Sequence, residues 1–239
     1  MAIREVLYNN HNYSISYEIL NPNKNESIVF LHGWGSNKEI MKKAFGKELD
    51  KYKHIYIDLP GFGSSSISVP IKTDDYSKIV TMFLDSLHVK PLMIAGHSFG
   101  GKVASLINPQ NLVLLSSAGI VVEKSLSVKF KIKMSKILKM LGLQNINRFL
   151  ASKDVENMSS IMYEVFKLVV DEDFESVFEK VNSKTFIFWG EEDSATPISS
   201  GKKIAKIIKD SKFYSLKGDH FFFMKNSKYI SKVIENEQL

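Results

Sequence analysis

Short apolar segments that end in a glycine or a polar loop recur along this chain, and they constrain its fold more than any other feature. They are SIVFLHG (27–33), KHIYIDLPG (53–61), KPLMIAGHS (90–98), NLVLLSSAG (111–119) and SKTFIFWGEED (183–193). Continuous apolar runs of this length are typical of strands that are buried on both faces of a parallel sheet. EVLYNNHNYSISYEIL (5–20) predicts a hairpin before them, and KFYSLKG (212–218) predicts a last strand.

The segments between these strands have helical periodicity. SNKEIMKKAFGKELDKY (36–52) and TDDYSKIVTMFLDSL (73–87) place apolar residues at the spacing of an amphipathic helix. Thr73 or Asp74 is expected to cap the second of them. Strands that alternate with helices imply βαβ crossovers, so the fold class is predicted to be α/β, with a mostly parallel twisted sheet flanked by helices.

The composition is that of an ordinary globular protein. The chain has 239 residues, of which 44% are hydrophobic and 24% charged, and one domain of catalytic size accounts for this length. It has no run of about 18 consecutive apolar residues and no secretory signal, so we expect a cytoplasmic protein without a membrane span. The lack of cysteine excludes disulfides, thiolate metal sites and a cysteine nucleophile.

The charge of the chain raises the question of nucleic-acid binding, because the formal net charge is +6 and the pI is near 9.2. Arg4 and Arg148 are the only arginines, however, and the bidentate recognition of phosphates and bases is an arginine speciality. The lysines are scattered, with Asp and Glu between them. Nucleic acid is therefore not an expected partner, and the lysines are interpreted as a solvated surface.

The most polar motifs of the chain follow the predicted strands. They are HGWG (32–35), DLPGFGSS (58–65), GHSFGG (96–101), GEEDSATP (190–197) and GDH (218–220). In open α/β sheets the reactive groups gather at the carboxyl ends of the strands. All five motifs are therefore expected to open onto the same rim of the sheet.

These motifs, in this order, resemble those of the α/β-hydrolase fold enzymes, and of serine carboxylesterases in particular. The resemblance covers nearly the whole chain except the stretch from about 121 to 183. It implies an α/β-hydrolase core domain, formed by residues 1–120 and 184–239, with a helical lid inserted over residues 121–183. It also implies catalysis by a Ser-His-Asp triad, with no cofactor and no metal ion.

Ser98 is the expected nucleophile. A serine hydroxyl is a weak nucleophile at neutral pH, so it needs a general base and a position that a substrate carbonyl can reach. The GxSxG pattern places the serine on a sharp, strained turn from strand to helix, where flanking side chains would clash. Gly96 and Gly100 provide that room. The alternative is a glycine-rich turn in which the serine only caps a helix.

The general base should be a histidine, and the chain has six. His97 is next to Ser98, but neighbours on such a turn diverge, so we expect it to pack beneath the nucleophile, whereas His32 should shape the first loop. Three histidines are expected at the wrong edge of the sheet: His11, His54 and His88. His220 follows the last strand, and the family order of serine, acid and histidine implies that it is the base.

The resemblance also implies an acid and an oxyanion hole. Asp193 occupies the position of the acid, which orients the imidazole and stabilises its cationic form. Its neighbours Glu191, Glu192 and Asp219 are expected to cap or solvate the loops. The oxyanion hole is assigned to the main-chain N–H groups of Trp34 and Phe99.

Part of the predicted lid has an amphipathic pattern. Its apolar stripe consists of Phe130, Met134, Ile137, Leu138 and Leu141. Its lysines fall mostly elsewhere and are Lys129, Lys131, Lys133, Lys136 and Lys139. The stripe is expected to roof a pocket. The basic face is interpreted as solvated surface, and docking of an acidic acyl carrier protein is the alternative.

Three functions are consistent with these residues. The first is a serine esterase that cleaves a small-molecule carboxylic ester through an acyl-enzyme. The second is a C–C hydrolase of ring-cleavage dienoates, a subfamily that usually has a GxGPG-type first loop, a lid arginine and a tryptophan shortly after the histidine. This chain has HGWG and HFFFMKN instead, and Arg148 is its only lid arginine. The third is a non-catalytic binding module, against which a complete triad argues.

Overall fold

A sheet of eight strands runs through the molecule in the computed structural model, which describes residues 1–121 and 158–238. The strands are β1 (Ala2–Tyr8), β2 (His11–Leu20), β3 (Ser27–Leu31), β4 (Lys53–Ile57), β5 (Met93–His97), β6 (Asn111–Leu115), β7 (Lys184–Gly190) and β8 (Ser211–Leu216). Their order is β1-β2-β4-β3-β5-β6-β7-β8. All neighbours from β4 to β8 are parallel, and β2 is antiparallel to both β1 and β4. The predicted mostly parallel sheet is confirmed.

Helices cover both faces of this sheet. Those in the described residues are α1 (Lys38–Phe45), α2 (Thr73–Ser86), α3 (Phe99–Ile107), α4 (Ser160–Val169), α5 (Glu175–Phe178), α6 (Ile198–Ile207) and α7 (Phe223–Gln238). One apolar cluster joins the sheet to α2, α3 and α6, and a second joins it to α1 and α7. The predicted α/β class is therefore confirmed. Within the described ranges, no helix is both long and apolar enough to cross a bilayer.

The central strands are apolar on both faces because each face packs against helices. In β7, Ile187 and Trp189 point into the cluster of α2, α3 and α6, whereas Phe186 and Phe188 point into that of α1 and α7. All four side chains are fully buried. Burial of such a side chain contributes about 1.5–3 kcal/mol, so each face of this strand stabilises the packing of the helices against it.

The start of α2 differs from the expectation. The residue that caps it is Lys72, so the prediction of Thr73 or Asp74 is wrong. The carboxylate of Asp75 accepts a hydrogen bond of 2.8 Å from the Lys72 main-chain N–H. This bond satisfies the N–H of the cap residue, and the Lys72 side chain makes no capping hydrogen bond to the first turn.

The first predicted helix is shorter than its periodicity suggested. α1 ends at Phe45, and the following Gly46 donates its N–H to the Lys42 carbonyl at 2.8 Å. Leu49 then adopts a left-handed conformation with φ of 52°. Leu49 and Tyr52 both lie in the cluster of α1 and α7, so their burial, rather than a continued helix, explains their apolar character.

The strand order creates a crevice at the carboxyl edge of the sheet. After β3 the chain passes to β4 on one side, and after α2 it returns to β5 on the other side of β3. The loops that follow β3 and β5 therefore diverge, and such a switch point is where ligands bind in open α/β sheets. The loop contacts confirm that several polar motifs meet at this rim.

The end of α4 is tied to α3 by a buried lysine. Lys102 Nζ donates to the Val169 carbonyl and to Glu172 Oε2, both at 2.7 Å, and its side chain is only 2% exposed. Thr73 donates to the same carboxylate oxygen. A buried ammonium needs this degree of compensation, because an unpaired charge in the interior is strongly destabilising. The segment that carries α4 is thereby fixed next to the helix that follows Ser98.

Most of the predicted lid lies outside the described residues. This applies to its apolar stripe (Phe130, Met134, Ile137, Leu138 and Leu141) and to its lysines (Lys129, Lys131, Lys133, Lys136 and Lys139), as well as to Arg148. The boundaries of core and lid, and the pocket roof, therefore stay predictions. Docking of an acidic carrier protein has no support in the described part of the chain.

Candidate active site

Ser98 lies on a strained turn between β5 and α3. Its φ of 50° and ψ of −112° are unusual for a residue with a side chain, and such a conformation costs about 1–3 kcal/mol. Main-chain hydrogen bonds hold this conformation. The Ser98 N–H donates to the Leu115 carbonyl at 3.1 Å, and the Ser98 carbonyl accepts from the N–H groups of Gly101 and Ala118. The residue is only partly buried, so the strain holds a hydroxyl-bearing side chain at the rim.

The glycines on either side of Ser98 are required by close main-chain approaches. A Cβ atom on Gly96 would lie 2.3 Å from the Gly100 carbonyl oxygen, and one on Gly100 would lie 2.5 Å from the Leu31 oxygen. Both distances are far inside van der Waals contact. The turn therefore depends on glycine at both positions, as the sequence pattern predicts.

The loop after β3 packs directly against this turn. A Cβ atom on Gly33 would lie 3.1 Å from the Cβ of Ser98. The ring of Trp34 lies edge-on to those of Phe62 and Phe99, with centroid distances of 4.9 and 5.5 Å. Within the described residues, the main-chain N–H groups of Trp34 and Phe99 donate to no acceptor. Two free donors thus flank the turn.

His32 shapes this loop, as expected. Its Nδ1 lies 2.8 Å from the Gly33 carbonyl oxygen and its Nε2 lies 3.0 Å from the Leu59 nitrogen. A carbonyl accepts and an N–H donates, so Nδ1 carries the proton and Nε2 accepts. Burial lowers the pKa of His32 to about 4, so the ring is neutral at pH 7.

A buried ion pair fixes the loop after β4. Asp58 Oδ2 accepts from Lys38 Nζ at 2.7 Å and from the Ser64 N–H at 3.0 Å, and Oδ1 accepts from the Lys38 N–H at 2.7 Å. Burial raises the pKa of Asp58, but the hydrogen bonds from Lys38 outweigh it, and the net shift is downward. The role of Lys38 was not predicted from the sequence, because a lysine at the start of a helix is usually exposed.

Asp193 and His220 form a hydrogen-bonded pair at the same rim. His220 Nδ1 lies 2.8 Å from Asp193 Oδ2. The Asp193 side chain is fully buried, and that of His220 is 18% exposed. The carboxylate stays ionised in spite of its burial, and a charged acceptor strengthens the bond to the imidazole.

The surroundings of Asp193 explain why it stays charged. Its Oδ1 accepts from the N–H groups of Ala195 and Thr196, both at 2.9 Å, and Oδ2 accepts from the Thr196 hydroxyl at 2.8 Å. Burial raises the pKa of Asp193, but hydrogen bonds from His220 and Thr196 lower it more, to about 2. Thr196 was missed from the sequence, although an Asp with a hydroxyl three residues later is a local capping pattern.

The rival carboxylates lie elsewhere. Glu191, Glu192 and Asp219 are all exposed. Asp219 Oδ1 accepts from the Phe221 N–H at 2.8 Å, which is a loop-capping contact. The Glu192 main chain, not its side chain, joins the two loops by donating to the Gly218 carbonyl at 3.0 Å. The carboxylate in contact with His220 is therefore that of Asp193.

The other histidines have structural surroundings. His54 lies in β4, between the Tyr56 hydroxyl and the Leu49 carbonyl, each 2.9 Å away. His11 lies at the start of β2, and His88 follows α2. His97 is different, because its Nε2 lies 3.0 Å from the carbonyl oxygen of His220. That bond brings the main chain of residue 220 next to the turn that carries Ser98.

No group of three His, Asp or Glu side chains in residues 1–121 and 158–238 is arranged to hold a metal ion.

A groove of about 720 Å³ is lined by residues that include Asn25, Pro91 and Pro109. These residues precede β3, β5 and β6, so the groove lies at the amino ends of the strands. It is at the opposite end of the sheet from Ser98 and His220.

The sequence of this chain is similar to those of known proteins. The model of the alpha/beta hydrolase fold family matches residues 26–110. The chain is 26% identical over 234 residues to the uncharacterized hydrolase YugF of Bacillus subtilis, with 82% of this chain and 83% of YugF covered. It is also 31% identical over 96 residues to an Escherichia coli 2-succinyl-6-hydroxy-2,4-cyclohexadiene-1-carboxylate synthase, a match that covers 40% of this chain and 37% of the synthase.

Solved structures agree over almost the full length. An esterase from Thermogutta terrifontis superposes with a TM-score of 0.75 at 15% identity, covering 100% of this chain and 98% of the esterase. The bromoperoxidase from Bacillus anthracis gives 0.78 at 19% identity, covering 98% and 99%. The meta-cleavage product hydrolase CumD from Pseudomonas fluorescens IP01 gives 0.71 at 16% identity, covering 99% and 98%. At these identities the likeness establishes the fold.

Proposed function

Because the chain belongs to the α/β-hydrolase fold superfamily, we propose that this hydrolase is a serine esterase that cleaves a small-molecule carboxylic ester through an acyl-enzyme. The observation that carries the proposal is the Asp193–His220 hydrogen bond of 2.8 Å at the same rim as the strained Ser98 turn. A buried carboxylate that orients a partly exposed imidazole is an arrangement suited to general-base catalysis.

In the acylation step, Ser98 Oγ attacks the ester carbonyl carbon while His220 takes the hydroxyl proton. His220 Nδ1 donates to Asp193, so Nε2 of the neutral ring has a free lone pair for that proton. The carbonyl π electrons move to oxygen and form a tetrahedral oxyanion. When this intermediate collapses, the bond to the leaving alkoxide breaks, and the imidazolium returns the proton to it.

The oxyanion is proposed to bind the main-chain N–H groups of Trp34 and Phe99. Both donors lack an acceptor among the described residues, and Gly33 packs against Ser98, which brings the Trp34 loop to the nucleophile. One such preorganised donor contributes about 3 kcal/mol to transition-state stabilisation. Water then attacks the acyl-enzyme, His220 removes its proton, and the carboxylic acid leaves with Ser98 restored.

The described wall of the site is aromatic. The centroid of the Trp34 ring lies 5.4 Å from that of Phe166 in α4 and 4.9 Å from that of Phe62. An apolar acyl chain gains about 0.8 kcal/mol for each methylene that such a wall buries. A dienoate would also need a cation for its carboxylate. Among the described residues, the buried cation near Phe99 is Lys102, which is already paired with Glu172, and Arg148 of the predicted lid lies outside them. These contacts favour an ester over a C–C hydrolase substrate.

Ester hydrolysis is expected to increase from p-nitrophenyl acetate to medium-chain esters and to fall for long chains. The test is a measurement of kcat/KM for the graded series beside one ring-cleavage dienoate, with the Ser98→Ala protein as the blank. Turnover of the dienoate alone would assign the protein to C–C hydrolysis. Rates equal to the blank with every substrate would favour a binding module.

The kcat/KM of the native protein is expected to rise with pH on the acid side of its profile, because the reaction needs an unprotonated general base. Protonated His220 cannot accept the proton of Ser98, so activity falls on the acid side. The pKa of Asp193 is about 2, that of His97 about 3 and that of His32 about 4, so the protonation states of these three groups do not change above pH of about 5. Rates for a medium-chain ester between pH of about 5 and 8, with circular dichroism to verify folding, test this. A flat profile, or a slope that requires two protons, would contradict a single histidine base.

A further inference from the structure

We propose that His97 is a positioning residue, which holds the main chain of His220 against the Ser98 turn through an Nε2–H hydrogen bond. This inference rests on the proposed function, because it concerns the placement of the proposed base. His97 itself is not proposed to touch the substrate. Its role follows from three features of its surroundings: one hydrogen bond, one packing contact and one missing partner.

The hydrogen bond joins two loops that are far apart in the chain. His97 is the last residue of β5 and is 1% exposed, and its Nε2 lies 3.0 Å from the His220 carbonyl oxygen. A carbonyl oxygen can only accept, so Nε2 carries the hydrogen. Burial lowers the pKa of His97 to about 3, so the ring is the neutral Nε2–H tautomer at pH 7. The groups that face the ring electrostatically are His220, Asp193 and His32.

The loop that carries His220 needs such an anchor. It follows Gly218, which has φ of 131°, and it precedes α7. Its internal bonds, from the Phe221 and Phe222 N–H groups, go to Asp219 of the same loop. These bonds fix the shape of the loop, and the Glu192 N–H and the Asp193 carboxylate tie it to the loop after β7. Among the described residues, the hydrogen bond that ties it to the turn that carries Ser98 is the one from His97. Because a displacement of about 1 Å can reduce catalysis by about 100-fold, the bond to His97 controls a sensitive coordinate.

The His97 ring also separates the two loops that flank the turn. On one side its centroid lies 4.6 Å from that of His220. On the other side, a Cβ atom on Gly33 would lie 2.8 Å from His97 Nδ1 and 3.2 Å from Cε1. Glycine at position 33 therefore leaves the space that the ring fills. The side chain of His97 thus sets how far the loop that contains Trp34 lies from the proposed base, His220.

The second ring nitrogen distinguishes positioning from simple stabilisation. His97 Nδ1 is buried and finds no hydrogen-bond partner within the described residues. An unsatisfied buried polar atom is destabilising, so stability alone would favour a side chain without it. What the imidazole supplies at this position is a donor at Nε2. A glutamine amide reaches about as far as Nε2, whereas an asparagine amide is shorter and phenylalanine has no donor.

Three variants separate these roles: His97→Gln, His97→Asn and His97→Phe. We expect His97→Phe and His97→Asn to lower kcat for a medium-chain ester by about 100-fold with KM little changed. His97→Gln should keep kcat within about tenfold of the native protein, because its amide N–H can replace the lost donor. The matched control is His54→Phe, which removes another buried, hydrogen-bonded histidine but at the amino end of β4. It should lower the unfolding midpoint without lowering kcat of the folded protein.

The ratio of kcat between His97→Gln and His97→Asn decides the proposal even if His97→Phe does not fold. Equal kcat in these two variants, or native kcat in His97→Phe, would overturn it. A second readout does not need activity: ¹⁵N NMR of the histidine side chains at pH 7 should show a protonated Nε2 and an unprotonated Nδ1 for His97. The opposite tautomer would also overturn it. A native protein no faster than Ser98→Ala would instead refute the proposed esterase function, and the positioning role of His97 in that reaction with it.

Discussion

The Ser98→Ala variant is expected to lose ester hydrolysis by about 10⁶-fold, the largest effect of any single substitution in this protein. Alanine cannot form the acyl-enzyme, so only binding and oxyanion stabilisation remain to speed attack by water. The fold should survive, because the Ser98 hydroxyl makes no hydrogen bond within the described residues and the turn is held by main-chain contacts. Alanine also tolerates the left-handed turn about as well as serine does.

The measurement combines initial rates on a p-nitrophenyl ester with a urea unfolding curve for each protein. The matched control is Ser105→Ala, which removes a buried hydroxyl from α3 that donates only to the Gly101 carbonyl. It should change kcat by no more than a few-fold. Activity of Ser98→Ala within about a hundredfold of the native protein, measured on material free of contaminating esterase, would refute a serine nucleophile at this position.

The layered architecture could be predicted because its signal is local. The apolar runs of β3 to β7 are continuous, since helices bury both faces of these strands, and the predicted strands contain the observed ones. The predicted ends were too long where polar residues follow. Asp58, for example, directly follows the apolar run, but its carboxylate binds Lys38 and the strand has already ended at Ile57.

The contacts that position the site were harder to predict, because they join residues that are distant in sequence. Lys102 and Glu172 are 70 residues apart, and nothing in the pattern around either one indicates the other. The His97 bond to the His220 carbonyl spans 123 residues. When a side chain bonds to a main-chain atom, its partner can be any type of residue. A sequence motif therefore cannot predict such a bond.

The residues of the candidate site could be predicted from the order of motifs in the family that the chain resembles. The residues around each position would not have been sufficient. That order selected Asp193 and His220 out of several carboxylates and histidines, and the structure brings these two to 2.8 Å. Their catalytic roles stay predictions. The environment that keeps Asp193 ionised was not foreseen, because it depends on how residues 193–196 fold back so that Thr196 meets the carboxylate.

The second large effect is expected for Asp193→Asn, which should lower kcat by about 10⁴-fold. The asparagine amide can present a donor to His220 Nδ1, which would then accept and leave the hydrogen on Nε2. In that tautomer Nε2 cannot take the proton of Ser98. The imidazolium formed during the reaction also loses its counter-charge, so both orientation and electrostatic stabilisation are lost.

The same substitution has a consequence for stability whose direction follows from the pKa of Asp193. That pKa is lowered from 3.8 to about 2 in the folded protein, so the ionised form contributes stability above the unfolded value. By linkage this amounts to about 2 kcal/mol at neutral pH, and it is lost as the pH falls from about 4 towards 2. Asp193→Asn should therefore unfold more readily than the native protein at pH 7, with the difference shrinking in acid.

Glu192→Gln is the matched control, since it neutralises the adjacent carboxylate, which is exposed. It should leave both kcat and the unfolding midpoint nearly unchanged. Rates at pH 7, with urea unfolding curves for the two variants at pH 7 and again at a pH between about 2 and 4, separate loss of the acid from loss of the fold. If Glu192→Gln lost activity while Asp193→Asn kept it, the assignment of the acid would be wrong. If Asp193→Asn lost stability but no activity, the carboxylate would serve only to cap residues 193–196, and His220 would have to be oriented by the neighbouring Thr196 hydroxyl, 3.4 Å from its Nδ1.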